Sequence, residues 1–143
     1  MTELQNLRDC ADCLCLASRR AARTITRAFD RQLRPHGIRV TQFTLLTNLE
    51  LRGPTALGEL AEILGMERTT LTRNLALLET ERWIDIRADS DDARSRIIAI
   101  APKGRAMVAR ALPAWRKAQA AASAAIGVAG VEALHALAHR AAG

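Results

Sequence analysis

MERTTLTRNLALLE, residues 66–79, sets its leucines at helical spacing. At roughly 100° per residue, Leu71, Leu75 and Leu78 form one stripe. Thr69, Arg73, Ala76 and Thr80 fall opposite, with Thr72 beside them. A solvated helix face usually carries Lys and Glu, whereas this one carries small hydroxyls and a guanidinium. Such a narrow hydrogen-bonding face suits insertion into a groove, but many exposed faces only meet water. The neighbouring segments decide between the two.

Upstream, Leu57, Leu60, Ala61 and Leu64 predict a short helix with Thr55 as its N-cap, and Gly65 permits a tight turn into the opening segment. A further helix is expected around residues 41–51, closed by the RGP of residues 52–54. Downstream the period changes from 3.6 to 2. WIDIRAD, from Trp83, places Trp83, Asp85 and Arg87 on one side and Ile84, Ile86 and Ala88 on the other, and RIIAIA, from Arg96, is also β-rich. The DSDDARS between them, residues 89–95, has no hydrophobic anchor and is expected to project as a hairpin tip.

Helix, glycine turn, second helix with a polar outer face, and two-stranded hairpin together describe a winged helix-turn-helix. In that motif the second helix enters the major groove, where base edges accept hydrogen bonds from hydroxyls and guanidinium groups. The candidate contacts on this helix are Arg68, Thr69, Thr70, Thr72 and Arg73. On the wing, Arg94 is expected to reach the minor groove, with Arg87 and Arg96 near phosphates. The implied partner is a double-stranded DNA operator.

The flanking segments have a different character. Residues 7–34 contain neither Pro nor Gly, and Leu14, Ala17, Ala21, Ile25 and Ala28 recur at helical spacing with arginines between them. They predict one long helix, ended by the PHG of residues 35–37. Alanine-rich helices are expected over about 103–126 and 130–141, with a kink at Pro113. The expected fold is mostly α with a small β-hairpin wing. A winged helix-turn-helix over about 41–101 would sit between helical dimerisation segments over about 7–34 and 103–141, all within one domain.

The chain has 143 residues, 49% hydrophobic and 25% charged, and no apolar run approaches membrane-spanning length. The opening MTELQNLRDC has no apolar leader. The reading is therefore cytoplasmic, with no membrane partner and reduced thiols. The net charge of +6 favours a polyanion, but it is unevenly distributed. Residues 1–40 hold eight basic against four acidic side chains, and residues 97–143 hold six against one. Residues 41–65 have one against three, and 66–96 six against seven. Local geometry, and not bulk charge, must therefore present arginines from the winged segment.

DDARSRIIAIAPKG, residues 91–104, resembles the wing of the MarR family of bacterial transcriptional regulators, with Asp92, Arg94 and Gly104 at the patterned places. TTLTRNLALLE resembles that family's recognition helix, and GIRVTQFTLLTNL, from Gly37, the entry to its second helix. Ala101 and Arg39 stand where the family usually has a threonine beginning a helix, so those two helix starts depart from the pattern. The resemblance implies a homodimer with interleaved terminal helices and two winged units meeting successive major grooves. The alanine richness of residues 105–126 agrees, since alanines allow close approach but each buries little area.

Cys10, Cys13 and Cys15 crowd the first helix. LCLASRRAARTITRAF, from Leu14, is similar to the peroxide-sensing branch of the family, whose reactive cysteine matches Cys15. That branch uses tyrosines beside the thiolate, and this chain has none, although Arg19 is available as a basic neighbour. Three readings stay open: small buried hydrophobes, an oxidant sensor, or a site for a soft metal or organic effector. No cofactor is expected. Two functions of other classes compete with DNA binding. One is a protein–protein adaptor built on the winged helix. The other is a thiol oxidoreductase using Cys10 and Cys13, for which no His or acid is patterned beside the pair.

Overall fold

A computed structural model describes residues 3–141. Among them, the order of elements is α1 (Leu14–Leu33), α2 (Val40–Arg52), β1 (Thr55–Ala56), α3 (Leu57–Leu64), α4 (Arg68–Thr80), β2 (Ile84–Ala88), β3 (Arg96–Ile100), α5 (Pro102–Ile126) and α6 (Val128–Ala141). Short 3₁₀ segments precede α1 and join it to α2. No single helix among the described residues is long and apolar enough to cross a membrane.

The leucine stripe of α4 becomes core: Leu71, Leu75 and Leu78 are fully buried. They join Leu60 and Ala61 of α3, Ile98 and Ile100 of β3, and Phe43, Leu46 and Leu49 of α2 in one hydrophobic cluster. That cluster continues through Met107, Ala111 and Ala114 of α5, so winged and terminal segments share a core. Three of the four aromatic residues meet at this junction. Trp115 of α5 stacks on Phe43 at 5.9 Å and tilts against Phe29 of α1 at 6.4 Å.

Both turns around α4 use the Schellman arrangement. After α3, Gly65 takes the left-handed conformation at φ 63°, and the Met66 N–H donates to Ala61 O at 2.9 Å. After α4 the same place is held by Arg82 at φ 60°, and the Trp83 N–H donates to Leu78 O at 3.0 Å. Trp83 is thereby drawn into the core ahead of the strand, instead of lying on the solvent side with Asp85 and Arg87 as period 2 suggested.

The sheet has three antiparallel strands in the order β1-β3-β2, not the two of a lone hairpin. β1 adds Thr55 opposite Ile98 and Ala56 opposite Ile97. Thr55 is consequently a strand residue and not the predicted cap; Ala56 takes the N-cap place, and the Thr55 hydroxyl donates to Gly53 O at 2.8 Å. A two-residue strand carries no sequence period, so its pairing arises only when β3 lies beside it.

The departures at Arg39 and Ala101 are compensated from elsewhere. At the start of α2, Asp30 Oδ1 of α1 accepts the Val40 N–H at 2.8 Å and Gln42 Oε1 accepts the Arg39 N–H at 2.9 Å. At the start of α5, Pro102 occupies the first turn, where its missing donor costs nothing. α5 runs unbroken through Pro113. The first helix starts later than expected. Residues 3–12 form a 3₁₀ stretch with a non-helical Asn6, Cys13 is extended (φ −62°, ψ 117°), and α1 begins only at Leu14. Residues 6–12 are exposed and include the poor helix formers Asn6, Asp9, Cys10 and Asp12, whereas the equally exposed residues 14–24, rich in Ala, Leu and Arg, are helical.

Candidate nucleic-acid interface

With its leucines buried, α4 turns Thr69, Thr70, Thr72 and Arg73 to solvent. They do not present equivalent groups. The Thr72 hydroxyl donates to Arg68 O at 2.8 Å, a backbone bond that occupies its proton and leaves an acceptor oxygen and a methyl facing out. The hydroxyls of Thr69 and Thr70 make no such bond among the described residues, and both remain donors and acceptors. Arg73, directly opposite the buried stripe, has no carboxylate within ion-pair distance among the described residues; the one ion pair found there is Arg105–Glu50, at 2.7 Å.

Arg68 takes another direction. Its guanidinium folds over Gly58 at the start of α3, where an added Cβ would lie 2.6 Å from Nη2. It thereby enters a cleft shared with Glu59, Asp92, Arg94 and Arg96. The chain thus brings Arg68 of the helix together with Arg94 and Arg96 of the wing, a grouping that their separation in sequence conceals. Gly58 is the residue sequence reasoning missed; its only signal is a glycine within an amphipathic helix.

The strand register separates the remaining wing arginines. Arg87 lies opposite Ile97 and Ala88 opposite Arg96, so side chains at 87 and 96 leave opposite faces of the ribbon. Arg96 shares the cleft with Arg68, and Arg87 does not. The tip is shaped by aspartates. Asp89 Oδ1 accepts the Asp91 N–H and Asp92 Oδ1 accepts the Arg94 N–H, both at 3.0 Å, closing two Asx turns. The acids that dilute the charge of the wing therefore have a local structural use, and Arg94 stays exposed.

The three cysteines are all exposed in this chain. Cys10 lies in the 3₁₀ stretch, Cys13 at the break and Cys15 in the first turn of α1. The expectation that all three cysteines sit on the first helix fails, because that helix has not begun at Cys10 or Cys13. Cys15 and Arg19, four residues apart, share a face of α1. Among the described residues, no three His, Cys, Asp or Glu side chains gather where a metal ion could sit.

Residues 36–95 match the MarR family. The chain is similar to the uncharacterized HTH-type transcriptional regulator YwoH of Bacillus subtilis, 30% identical over 80 residues, a match spanning 56% of this chain and 58% of that protein. It is similar in structure to the M. tuberculosis transcriptional regulator MosR in complex with DNA, with 39% identity and a TM-score of 0.81 over 91% of this chain and 96% of that one. A probable transcriptional regulator from Pseudomonas aeruginosa is 26% identical, with a TM-score of 0.77 over 91% and 97% of the two chains.

Proposed function

The chain belongs to the MarR family of winged helix DNA-binding transcriptional regulators, and from that premise we propose that it is a homodimeric repressor whose hold on its operator is released by a thiol event or a small effector. Membership of a family of regulators sets aside the thiol oxidoreductase built on Cys10 and Cys13: the chain is not an enzyme. The observation that carries the reading is the surface of α4, small and hydrogen-bonding opposite a buried leucine stripe, continued by the arginine cleft under the wing.

Each side chain has a distinct part in the proposed complex. Thr69, Thr70 and Arg73 read base edges in the major groove, while the Thr72 methyl and hydroxyl oxygen lie against them. Arg94 enters the minor groove. Arg68 and Arg96 hold one phosphate run from the cleft, and Arg87 another from the opposite face of the ribbon. The relationship to MosR, solved in complex with DNA, supports the operator as partner. The wider winged segment, net negative over residues 41–96, keeps one competitor, an adaptor that binds protein through the same face.

Dimerisation through residues 7–34 and 103–141 is supported by exposed apolar side chains. Leu7, Leu14, Leu16, Val128, Leu134 and Leu137 are all open to solvent in the single chain, Leu14 at 85%. A patch of this kind needs a partner. The regulatory step proposed is at Cys15. A hydroperoxide transfers one oxygen to its thiolate, giving the sulfenic acid and an alcohol, and the thiol of Cys10 or Cys13 then condenses with it, releasing water and forming a disulfide. The site of action is the cytoplasm, where operator DNA is found.

The test is selection of bound fragments from genomic DNA, followed by anisotropy titration before and after oxidant. Sequence-selective binding that weakens steeply with salt is expected. Oxidant should release the wild type, reductant should restore binding, and Cys15→Ser should bind but not respond. Absence of any duplex binding would favour the adaptor. Wild type that keeps its DNA while mass shows Cys15 oxidised would leave a noncovalent effector as the signal.

A further inference from the structure

The largest charge concentration in the chain lies outside the winged unit. Arg20, Arg23, Arg27, Arg31 and Arg34 follow one another at spacings of three and four residues along α1 and the turn that ends it. At 100° per residue they form a single ladder roughly 21 Å long. All five are exposed. None has a carboxylate within 4.0 Å among the described residues. The one acid in α1, Asp30, directs its Oδ1 to the Val40 N–H. Like charges at these spacings oppose helix formation, and Asp30, which shares a cleft with Arg27, Arg31 and Arg34, offsets them only in part.

α1 has three distinct faces. Phe29 and Leu33 face the core, and Leu14, Ala17, Ala21, Ile25 and Ala28 form an apolar stripe within the segment assigned above to the dimer. The centre line of the ladder lies more than about 100° around the helix from that of either. A partner subunit on the apolar stripe that also covers Leu16 reaches the ladder only at its first turn, beside Arg20, and leaves Arg23, Arg27, Arg31 and Arg34 open. α1 packs on α5 and α2 and takes no part in the α4 face or the wing cleft.

We propose that this ladder is a second duplex-binding surface, which holds the phosphate backbone of a DNA segment other than the one read by α4. The proposal rests on the reading of the chain as a DNA-binding regulator. Its complementarity is one of charge and length. Along one strand of a duplex a phosphate recurs about every 3.4 Å of axis, so the ladder sets five guanidinium groups against roughly six phosphates. The hydroxyl beside it, on Thr24, donates to Arg20 O at 2.9 Å, and the guanidinium groups that dominate the face hold phosphate independently of sequence. A regulator with such a surface passes between DNA segments without first dissolving into solution.

The test measures how fast the full-length protein leaves a labelled operator duplex as unlabelled non-operator duplex is increased. Wild type is expected to leave several-fold faster at high competitor than at low. Arg23→Gln/Arg27→Gln/Arg31→Gln should leave at one rate throughout, with unchanged affinity for a short operator and a melting temperature no lower than wild type. The triple lysine variant should restore the dependence, because charge alone is required. Competitor-independent release of wild type from an operator it binds selectively overturns the ladder proposal and spares the function. Loss of short-operator affinity in the glutamine variant, its salt slope falling by about 0.9 per lost contact, places the ladder on the operator itself and also overturns it. So does a defect of that variant confined to binding phosphatidylglycerol vesicles. Failure of wild type to bind any duplex removes the reading on which both rest.

Discussion

Arg73 and Arg94 test different halves of the proposed interface. On a helix in the major groove Arg73 reads base edges, so Arg73→Ala should cost about 1–3 kcal/mol and relax the preference at one base position. Arg94→Ala should cost about as much while leaving the major-groove preference intact; selection from a randomised operator distinguishes the two, and identical preference for Arg73→Ala would reduce Arg73 to a phosphate contact. Arg82 is a residue of another kind. It holds a left-handed φ of 60° at the end of α4, where glycine is the usual occupant. Arg82→Gly should stabilise the fold by up to about 1 kcal/mol, relief of the strained backbone outweighing the extra freedom of the unfolded chain. A lower midpoint in urea would mean that the Arg82 side chain contributes more than its backbone costs. Which residues face outward on α4 was legible from spacing alone. The turning of Arg68 into the wing cleft was not, because its direction is set by the bare backbone of Gly58, ten residues away in the chain.

Two glycines compare the packing of elements. At Gly104 an added Cβ would lie 2.2 Å from Trp83 O, against the backbone that also accepts the Ala101 N–H at 2.8 Å. Neither side can yield without lifting the start of α5 from the backbone at Trp83, so Gly104→Ala should cost about 1–3 kcal/mol, as overpacking does. Gly58→Ala meets only the far end of the Arg68 side chain. Its thermal midpoint should be nearly unchanged, yet operator affinity should fall several-fold as Arg68 leaves the cleft. Loss of stability with affinity retained would show that Arg68 is a packing residue. The family-like placing of Gly104 was readable from the sequence, but its cause, a helix start pressed on a backbone carbonyl, lies in the docking of α5. The same holds for β1: Thr55 becomes a strand residue only because Ile98 lies opposite it.

At the scale of the whole molecule, the proposed dimer makes the exposed apolar side chains of the terminal segments the decisive surface. Leu14→Glu combined with Leu137→Glu should shift sedimentation from dimer to monomer and lower operator affinity by well over tenfold, since each winged unit would then bind alone. Two folded chains in the particle after both substitutions would move the interface elsewhere. The late start of α1 belongs to this scale as well. Residues 6–13 combine exposure with poor helix formers such as Asn6, Asp9, Cys10 and Asp12, and so lack the α-helix that the equally exposed but Ala- and Arg-rich 14–24 keep, a difference that apolar periodicity does not report.

The sequence by itself determined the core helices, the two strands of the hairpin and the buried leucine face of α4. Leucines at period 3.6 and isoleucines at period 2 each have one low-energy way to leave water, and glycine or proline punctuation marks where that way ends. It also determined which α4 side chains remain outside, for the same reason. Only the tertiary structure decided what meets across elements: Arg68 with Arg94 and Arg96 in one cleft, Arg87 on the other face of the ribbon, Asp30 capping α2, and a third strand in the wing sheet. Periodicity encodes burial along a single segment, whereas register, helix docking and long-range hydrogen bonds depend on distances between segments that no local pattern contains.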